Sequence, residues 1–216
     1  MTIGGASPRG GRTTGVAAVL LALAMLLGAC GGDSVSAREA VLDGDGLHGS
    51  ALDEPYQVPE TSLVDTSGAD YSLTEADADL TLVFFGYTHC PDICGIVMST
   101  IASALVRLDE ADRERVDVVF VTTDPARDDP DRLRAYLDSY DPTFQGVTGE
   151  METIIATARE LAVFVEKGER LPGGGYEVVH SDPVIGLDDQ DQATTVWSKD
   201  LSAQQLAEDI EELLSR

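Results

Sequence analysis

The sequence predicts one α/β domain, with a mixed β-sheet flanked by helices. Short apolar, β-branched runs alternate with stretches whose apolar residues recur every three or four positions, the pattern of buried strands separated by amphipathic helices. The two strongest strands are separated by one helix, so we expect them to be parallel. The chain has 216 residues, which is enough for one compact domain and an extension rather than two large domains.

Four segments are predicted to be strands of this sheet. The strongest is Thr81 to Gly86 (TLVFFG), and the second is Val116 to Thr122 (VDVVFVT). Both are rich in β-branched and aromatic residues, which pack well on a pleated surface. Two weaker strands are predicted over residues 184–187 and 193–198.

Four helices are predicted from apolar stripes of helical spacing. The first runs from about Cys94 to Leu108, and the second begins near Pro130, because proline is well tolerated in the first turn. The last is opened by Ser202 and Gln205, which have the spacing of a capping box. The apolar stripes are 97, 101, 105 and 108; 133, 136, 137 and 140; 151, 154, 155, 158 and 161; and 206, 210, 213 and 214.

The order of these elements predicts a thioredoxin-like fold. A strand, a helix and a strand are followed by two helices, two strands and a final helix. Before them, the segment Tyr56 to Tyr71 contains Ser67 and Gly68 between short apolar stretches, which predicts an N-terminal hairpin. We therefore expect an α/β, thioredoxin-like mixed sheet flanked by helices, with an N-terminal hairpin.

The charge balance excludes one broad class of function. The chain has 14 Lys and Arg residues against 39 Asp and Glu residues, which gives a formal net charge of −25. Such a surface repels the phosphates of nucleic acids, so no nucleic-acid partner is expected.

The N-terminal part of the chain has the pattern of a lipoprotein export signal. Residues 1–29 contain two arginines, no acidic residue, and an apolar run from Val16 to Ala29 that is too short to cross a bilayer. The run ends in Leu27-Gly28-Ala29-Cys30, which resembles a bacterial lipobox with Cys30 as the lipidated residue; an ordinary signal peptide cleaved nearby is the alternative.

The domain organisation and the location follow from this signal. We predict a lipoprotein signal peptide over residues 1–29, a flexible tether over residues 30–49 that is rich in Gly, Ser and Asp, and a folded domain over residues 50–216. A lipid on Cys30 would hold the domain on the outer face of the bacterial cell membrane.

Cys90 and Cys94 are the main candidates for chemistry. They are four residues apart, where a buried strand gives way to a helix, so once helical they would lie on one face, one turn apart. A helix N-terminus favours negative charge, so we expect the pKa of both thiols to be lowered. The pair can form a reversible disulfide or bind a soft metal ion. A purely stabilising disulfide is disfavoured, because closing so short a loop removes little entropy from the unfolded chain.

The segment Gly86-Tyr-Thr-His-Cys-Pro-Asp-Ile-Cys94 resembles the signature of the Sco/SenC family, thioredoxin-like copper chaperones of cytochrome c oxidase assembly. The resemblance continues at residues 118–125, 127–130 and 133–136 and again at 178–181, and it covers most of residues 50–216. It implies that Cys90, Cys94 and His180 bind one copper ion. It also implies delivery of that copper to the binuclear copper site of cytochrome c oxidase, with the subunit that carries this site as the partner.

The donor chemistry agrees with that implication. Two thiolates and one imidazole form a soft, open set that suits Cu(I), and an added water or carboxylate would accommodate Cu(II). His89, beside Cys90, is the competing histidine, and we place it next to the site or on the surface; His48 falls in the predicted tether. Asp124 either caps a turn before Pro125 or tunes the site from outside the ligand set.

Two functions remain open at this point. The first is a membrane-anchored copper chaperone. The second is a thiol–disulfide oxidoreductase in which Cys90 and Cys94 form a redox pair that reduces the copper-ligand cysteines of the target. His180 separates them, because only the first needs the imidazole.

Overall fold

The structure is a computed structural model that describes residues 46–58, 60–76, 78–170 and 176–216. Within these ranges the strands are β1 Ser50–Gln57, β2 Leu63–Asp65, β3 Asp70–Tyr71, β4 Leu80–Gly86, β5 Val116–Thr122, β6 Gln145–Thr148, β7 Val165–Arg170, β8 Tyr176–His180, β9 Val184–Asp188 and β10 Gln192–Trp197. The helices are α1 Ile93–Leu105, α2 Glu110–Arg113, α3 Pro130–Leu137, α4 Met151–Glu160 and α5 Ala203–Leu214, with one 3₁₀ turn at Leu73–Glu75.

Eight of the strands form one mixed sheet. Their order is β1-β10-β9-β4-β5-β6-β2-β3, while β7 and β8 form a separate two-stranded sheet. The centre is the parallel pair β4 and β5, in register from Leu80 opposite Val116 to Gly86 opposite Thr122. Strand β9 runs antiparallel on the other side of β4. The predicted parallel pairing of the two strongest strands is confirmed.

Two apolar layers cover the central strands. Because side chains alternate along a strand, Leu82 and Phe84 point to one face of the sheet and Val83 and Phe85 to the other. The first face packs against α1, α3 and α5. The second packs against α4 and against Leu63 of β2. Every residue of β4 is buried, so this strand rigidly positions the start of the segment that follows Gly86.

The predicted strands and helices are present, with shifted ends. The N-terminal hairpin is β2 and β3, which pair around a turn where Gly68 has a φ of +87°. It is shorter than the predicted 56–71, because residues 50–57 form β1 and pair with β10 instead. The capping box of Ser202 and Gln205 is confirmed. Strands β1, β6, β7 and β8 were not predicted.

The folded domain begins before the predicted boundary at residue 50. Leu47 is fully buried, and the backbone N–H groups of His48 and Gly49 each donate to the Asp209 carboxylate at 2.8 Å. The indole N–H of Trp197 donates to the same carboxylate at 2.8 Å. Residues 46–49, which were predicted to belong to the tether, therefore pack on the domain, because the buried Asp209 carboxylate on α5 holds them.

The predicted signal peptide over residues 1–29, Cys30 and most of the predicted tether lie outside the described residues. Among the helices that the structure describes, none is both long and apolar enough to span a bilayer.

Candidate metal centre

The two cysteines lie where β4 ends and α1 begins. After Gly86 the chain makes a turn in which the N–H of Cys90 donates to the carbonyl oxygen of Tyr87 at 3.2 Å, and α1 starts at Ile93. A Cβ on Gly86 would lie 2.9 Å from the Phe84 ring and 3.2 Å from the sulfur of Cys94. Only glycine leaves this space, so the end of β4 is shaped to let the Cys94 sulfur lie against the strand.

Both cysteines are free thiols, and they differ in exposure. Cys94, in the first turn of α1, is fully buried in the core, whereas Cys90 is partly exposed at the rim of the core. The backbone N–H of Cys94 donates to the sulfur of Cys90 at 3.4 Å. The start of α1 therefore stabilises the sulfur of Cys90 through this N–H group, as expected for a sulfur at a helix N-terminus.

The pKa values of the two thiols move in opposite directions. Burial raises the pKa of Cys90, but hydrogen bonds from the Cys94 thiol and the backbone N–H groups of residues 92–94 outweigh it, so this pKa is lowered. Burial, followed by the hydrogen bond with Cys90, raises the pKa of Cys94 well above its usual range. The prediction of two lowered values is thus confirmed for Cys90 and wrong for Cys94, because the core desolvates the second sulfur.

His180, the last residue of β8, faces this pair. Its Nε2 lies 3.8 Å from the sulfur of Cys94, and its Nδ1 lies 2.9 Å from the carbonyl oxygen of Ser181. Because a carbonyl oxygen only accepts hydrogen bonds, Nδ1 carries the proton and Nε2 presents its lone pair to the thiols. This backbone hydrogen bond fixes the tautomer that a metal ligand needs.

Two aromatic rings hold the imidazole in place. Tyr87 meets it edge-on with ring centroids 5.9 Å apart, and Phe84 does so at 6.4 Å. Burial, followed by the charges of Cys90 and Cys94, raises the pKa of Tyr87 to about 12, so its hydroxyl stays protonated at neutral pH. Two uncharged aromatic rings therefore lie against the imidazole of His180.

The three donors converge. One ligand atom each from Cys90, Cys94 and His180 lies within 4.8 Å of the other two. Among the described residues, these three form a group that could bind a metal ion. Two sulfurs and one nitrogen at this spacing fit a soft, low-coordinate ion, for which Cu(I) is a good match. The structure thus brings together the three residues that the sequence analysis selected as ligands.

Asp124 is not one of the three clustered donors. It is fully buried after β5 and pairs with the guanidinium of Arg127, whose carbon lies 6.0 Å from the centre of the Tyr87 ring. Arg127 thus connects Asp124 to the Tyr87 ring, and the N–H of Asp124 also donates to the hydroxyl of Thr122 at 3.0 Å. The turn role fits this position, because the N–H groups of Arg127 and Asp128 donate to the Asp124 carbonyl oxygen, whereas its role in tuning the site stays a prediction.

The other two histidines lie outside the donor cluster. The Nε2 atom of His89 lies 3.3 Å from Arg132, and its Nδ1 lies 3.5 Å from the carboxylate of Asp128. His48 pairs with Glu208 at 2.8 Å on the C-terminal helix.

Sequence reasoning missed Asp128, a fully buried carboxylate that binds the cysteine loop. Asp128 lies in the segment 127–130 that forms part of the family resemblance, but nothing in the sequence distinguished it from the acidic residues around it.

A thioredoxin-like fold with a dithiol–imidazole cluster at the carboxyl end of a central strand defines a class of metal-binding or thiol-active proteins. Comparison with known families narrows the class. Residues 50–215 match the SCO1/SenC family model, and the chain belongs to that family.

Relatives extend this result. A "putative copper-binding protein" of Stutzerimonas stutzeri is 34% identical over 164 residues, which cover 76% of each chain. The mitochondrial SCO2 homolog of Mus musculus is 31% identical over 150 residues, which cover 69% of this chain and 59% of the mouse protein. The match therefore spans about three-fifths of that mitochondrial relative.

Solved structures share the fold. The apo Sco1 protein of Thermus thermophilus is 28% identical, with a TM-score of 0.69 over 77% of this chain and 96% of the other. The copper-bound ScoI of Bradyrhizobium japonicum is 26% identical, with a TM-score of 0.64 over 76% of this chain and 99% of the other.

Proposed function

We propose that this protein is a copper chaperone that carries one copper ion between Cys90, Cys94 and His180. The observation that carries the proposal is the convergence of these three donors within 4.8 Å. Support comes from relatives whose names or structures include copper. The ion is cargo in this account, held by the protein and then passed on.

The arrangement suits release as well as binding. Cys94 is buried behind the site, whereas Cys90 and His180 are partly exposed and can be replaced one at a time by incoming ligands. A set of three donors leaves room for a sulfur of an acceptor to attach before a donor sulfur leaves. Copper then passes directly from one sulfur to another and is never released into water during the exchange.

The acceptor in this proposal is the binuclear copper site of cytochrome c oxidase. The test is to load the full chain with Cu(I) and mix it with the reduced, copper-free oxidase subunit that bears this site. We expect copper to leave this protein and appear in the subunit, with the visible absorption of a binuclear copper centre after oxidation. Retention of copper by the chaperone, in the presence of a competent acceptor, would contradict delivery.

Membrane anchoring belongs to the same proposal. We infer that Cys30 carries a lipid and that the domain works at the outer face of the cell membrane. In cells, Cys30→Ala should move the protein from the membrane fraction to the soluble fraction while its copper binding stays unchanged. A Cys30→Ala variant that stays in the membrane fraction would rule out the lipid anchor.

A second function is favoured by one observation, the unequal thiols. Cys90 has the exposure and the lowered pKa of an attacking thiol, and Cys94 lies behind it as the resolving thiol. In this reaction the two thiols reduce an acceptor disulfide. Cys90 first forms a mixed disulfide and Cys94 then displaces the acceptor, which leaves with both sulfurs reduced while Cys90 and Cys94 become a disulfide.

The two functions are separated by incubating the reduced, copper-free chain with the oxidised acceptor. If only copper transfer occurs, the acceptor disulfide stays intact. If the acceptor becomes reduced and His180→Ala supports the same rate, the oxidoreductase function operates alongside or instead of transfer.

A further inference from the structure

Asp128 is a buried carboxylate with its hydrogen bonds directed at the cysteine loop. It lies between β5 and α3, and its side chain is fully buried. One oxygen accepts from the backbone N–H of Thr88 at 2.8 Å, and the other accepts from the hydroxyl of Thr88 at 2.6 Å. Thr88 lies in the turn that leads from β4 to Cys90.

The carboxylate is also fixed from its own side of the sheet. The hydroxyl of Thr122, at the end of β5, donates to it at 2.8 Å, and the N–H of Asp128 donates to the carbonyl oxygen of Asp124 at 3.0 Å. Three donated hydrogen bonds compensate for much of the cost of burying this charge. Asp128 thus joins the cysteine turn rigidly to the strand that pairs with β4.

The same carboxylate orients the next residue in the turn. The Nδ1 atom of His89 lies 3.5 Å from Asp128 and 3.1 Å from the hydroxyl of Thr88, and its Nε2 faces Arg132 at 3.3 Å. Both ring nitrogens of His89 therefore face groups other than the thiols. This keeps the neighbouring imidazole from competing with His180 beside Cys90.

We propose that Asp128 is a positioning residue, which holds the turn of residues 87–90 so that the sulfur of Cys90 meets Cys94 and His180. It touches neither the thiols nor copper and acts through Thr88. The inference deepens the proposed function and rests on it for the copper readout, but its effect on the two thiols is measurable without metal.

The experiment compares three variants of the full chain. Asp128→Ala removes all three accepted hydrogen bonds and leaves the half-buried N–H of Thr88 without this acceptor. Asp128→Asn keeps one acceptor oxygen and should restore part of the effect. Thr122→Val is the matched control, because it removes one hydrogen bond to Asp128 and the acceptor of the Asp124 N–H, but no hydrogen bond to the cysteine turn.

Two readouts are taken for each folded variant, with thermal unfolding measured alongside. The first is Cu(I) affinity by competition with a chelator, where Asp128→Ala should lose about 10- to 100-fold, as supporting residues of metal sites do. The second is the rate at which oxidised glutathione closes the Cys90–Cys94 disulfide in the metal-free chain, which should fall at least about fivefold because the sulfurs are misplaced. Thr122→Val should stay within about threefold in both.

The outcomes separate the two proposals. If wild type binds no copper but Asp128→Ala still slows disulfide closure relative to Thr122→Val, the copper function fails and the positioning role stands. If Asp128→Ala and Thr122→Val change both readouts equally, or if folded Asp128→Ala matches wild type, Asp128 only supports the fold and this inference is overturned.

Discussion

The two halves of the metal centre are built by different means. The cysteine half rests on β4, whose residues are all buried, and on α1, which packs into the larger core layer. The histidine half lies on β7 and β8, a two-stranded sheet apart from the main one. There, Val165 and Val178 are buried but Phe164 and Val179 are exposed.

This difference gives the two halves of the site different roles. The cysteine half holds the two sulfurs in place, and the histidine half completes the set of three donors. The core fixes both sulfurs before any ion arrives, so their geometry depends on global stability. The imidazole is placed by local contacts, namely the carbonyl of Ser181 and the rings of Tyr87 and Phe84. We therefore expect changes in the cysteine half to abolish binding and changes in the histidine half to weaken it.

Loss of a sulfur should have the largest effect. Cys90→Ser or Cys94→Ser replaces a soft thiolate with a hard hydroxyl, so Cu(I) affinity should fall by more than about 100-fold, beyond the usual loss for outer residues of a site. Chelator competition under anaerobic conditions measures it, with unfolding curves to show that each variant folds. Tight one-to-one binding by either variant would show that two sulfurs are not required.

Loss of the imidazole should be smaller and selective. His180→Ala removes one of three donors but leaves both sulfurs, so Cu(I) affinity should drop by at least about 10-fold, while disulfide exchange by Cys90 and Cys94 should continue at close to the wild-type rate. His89→Ala is the control and should leave copper affinity unchanged, because that ring lies outside the cluster. Equal losses in the two variants would break the distinction between the histidines.

The two sulfurs should also differ from each other. Cys90 is partly exposed and has a lowered pKa, whereas Cys94 is buried and its pKa is raised, so iodoacetamide at pH 8 should modify Cys90 at least about tenfold faster. Mass spectrometry of peptides after brief labelling measures the ratio. Comparable labelling of both cysteines in the folded protein would contradict the buried position of Cys94.

A matched pair of core substitutions gives the smallest effects. Val97→Ala on α1 and Val178→Ala on β8 each remove two buried methyl groups, which contribute about 2 kcal/mol in a well-packed core. We expect the full loss of unfolding free energy at Val97, with copper affinity nearly unchanged. At Val178 we expect a smaller loss of stability but weaker copper binding. Denaturant unfolding and chelator competition measure both, and the reverse pattern would refute the comparison.

The sequence was most informative about the cysteine half. The runs that became β4 and β5 are apolar enough to be identified as buried strands, and the spacing of Cys90 and Cys94 placed them at a helix start. The hairpin of β7 and β8 was missed because the segment Val165–Arg170 is mostly polar and has no clear period. His180 was selected through the family resemblance, since nothing in the local pattern brings residue 180 near residue 94.

Tertiary burial accounts for what the sequence could not provide. The raised pKa of Cys94 depends on the core around it, and the role of Asp128 depends on the meeting of two segments 40 residues apart. In a chain with 39 acidic residues, nothing in the local sequence distinguishes one functional carboxylate from the others. The packing of residues 46–49 likewise depends on Asp209, far along the chain.

The most direct test of the shared site is X-ray absorption spectroscopy of the full chain loaded anaerobically with one equivalent of Cu(I). The account predicts two sulfur ligands and one nitrogen ligand around a single copper, with the nitrogen lost in His180→Ala. A copper bound by sulfur alone, with the same spectrum in both proteins, would contradict it.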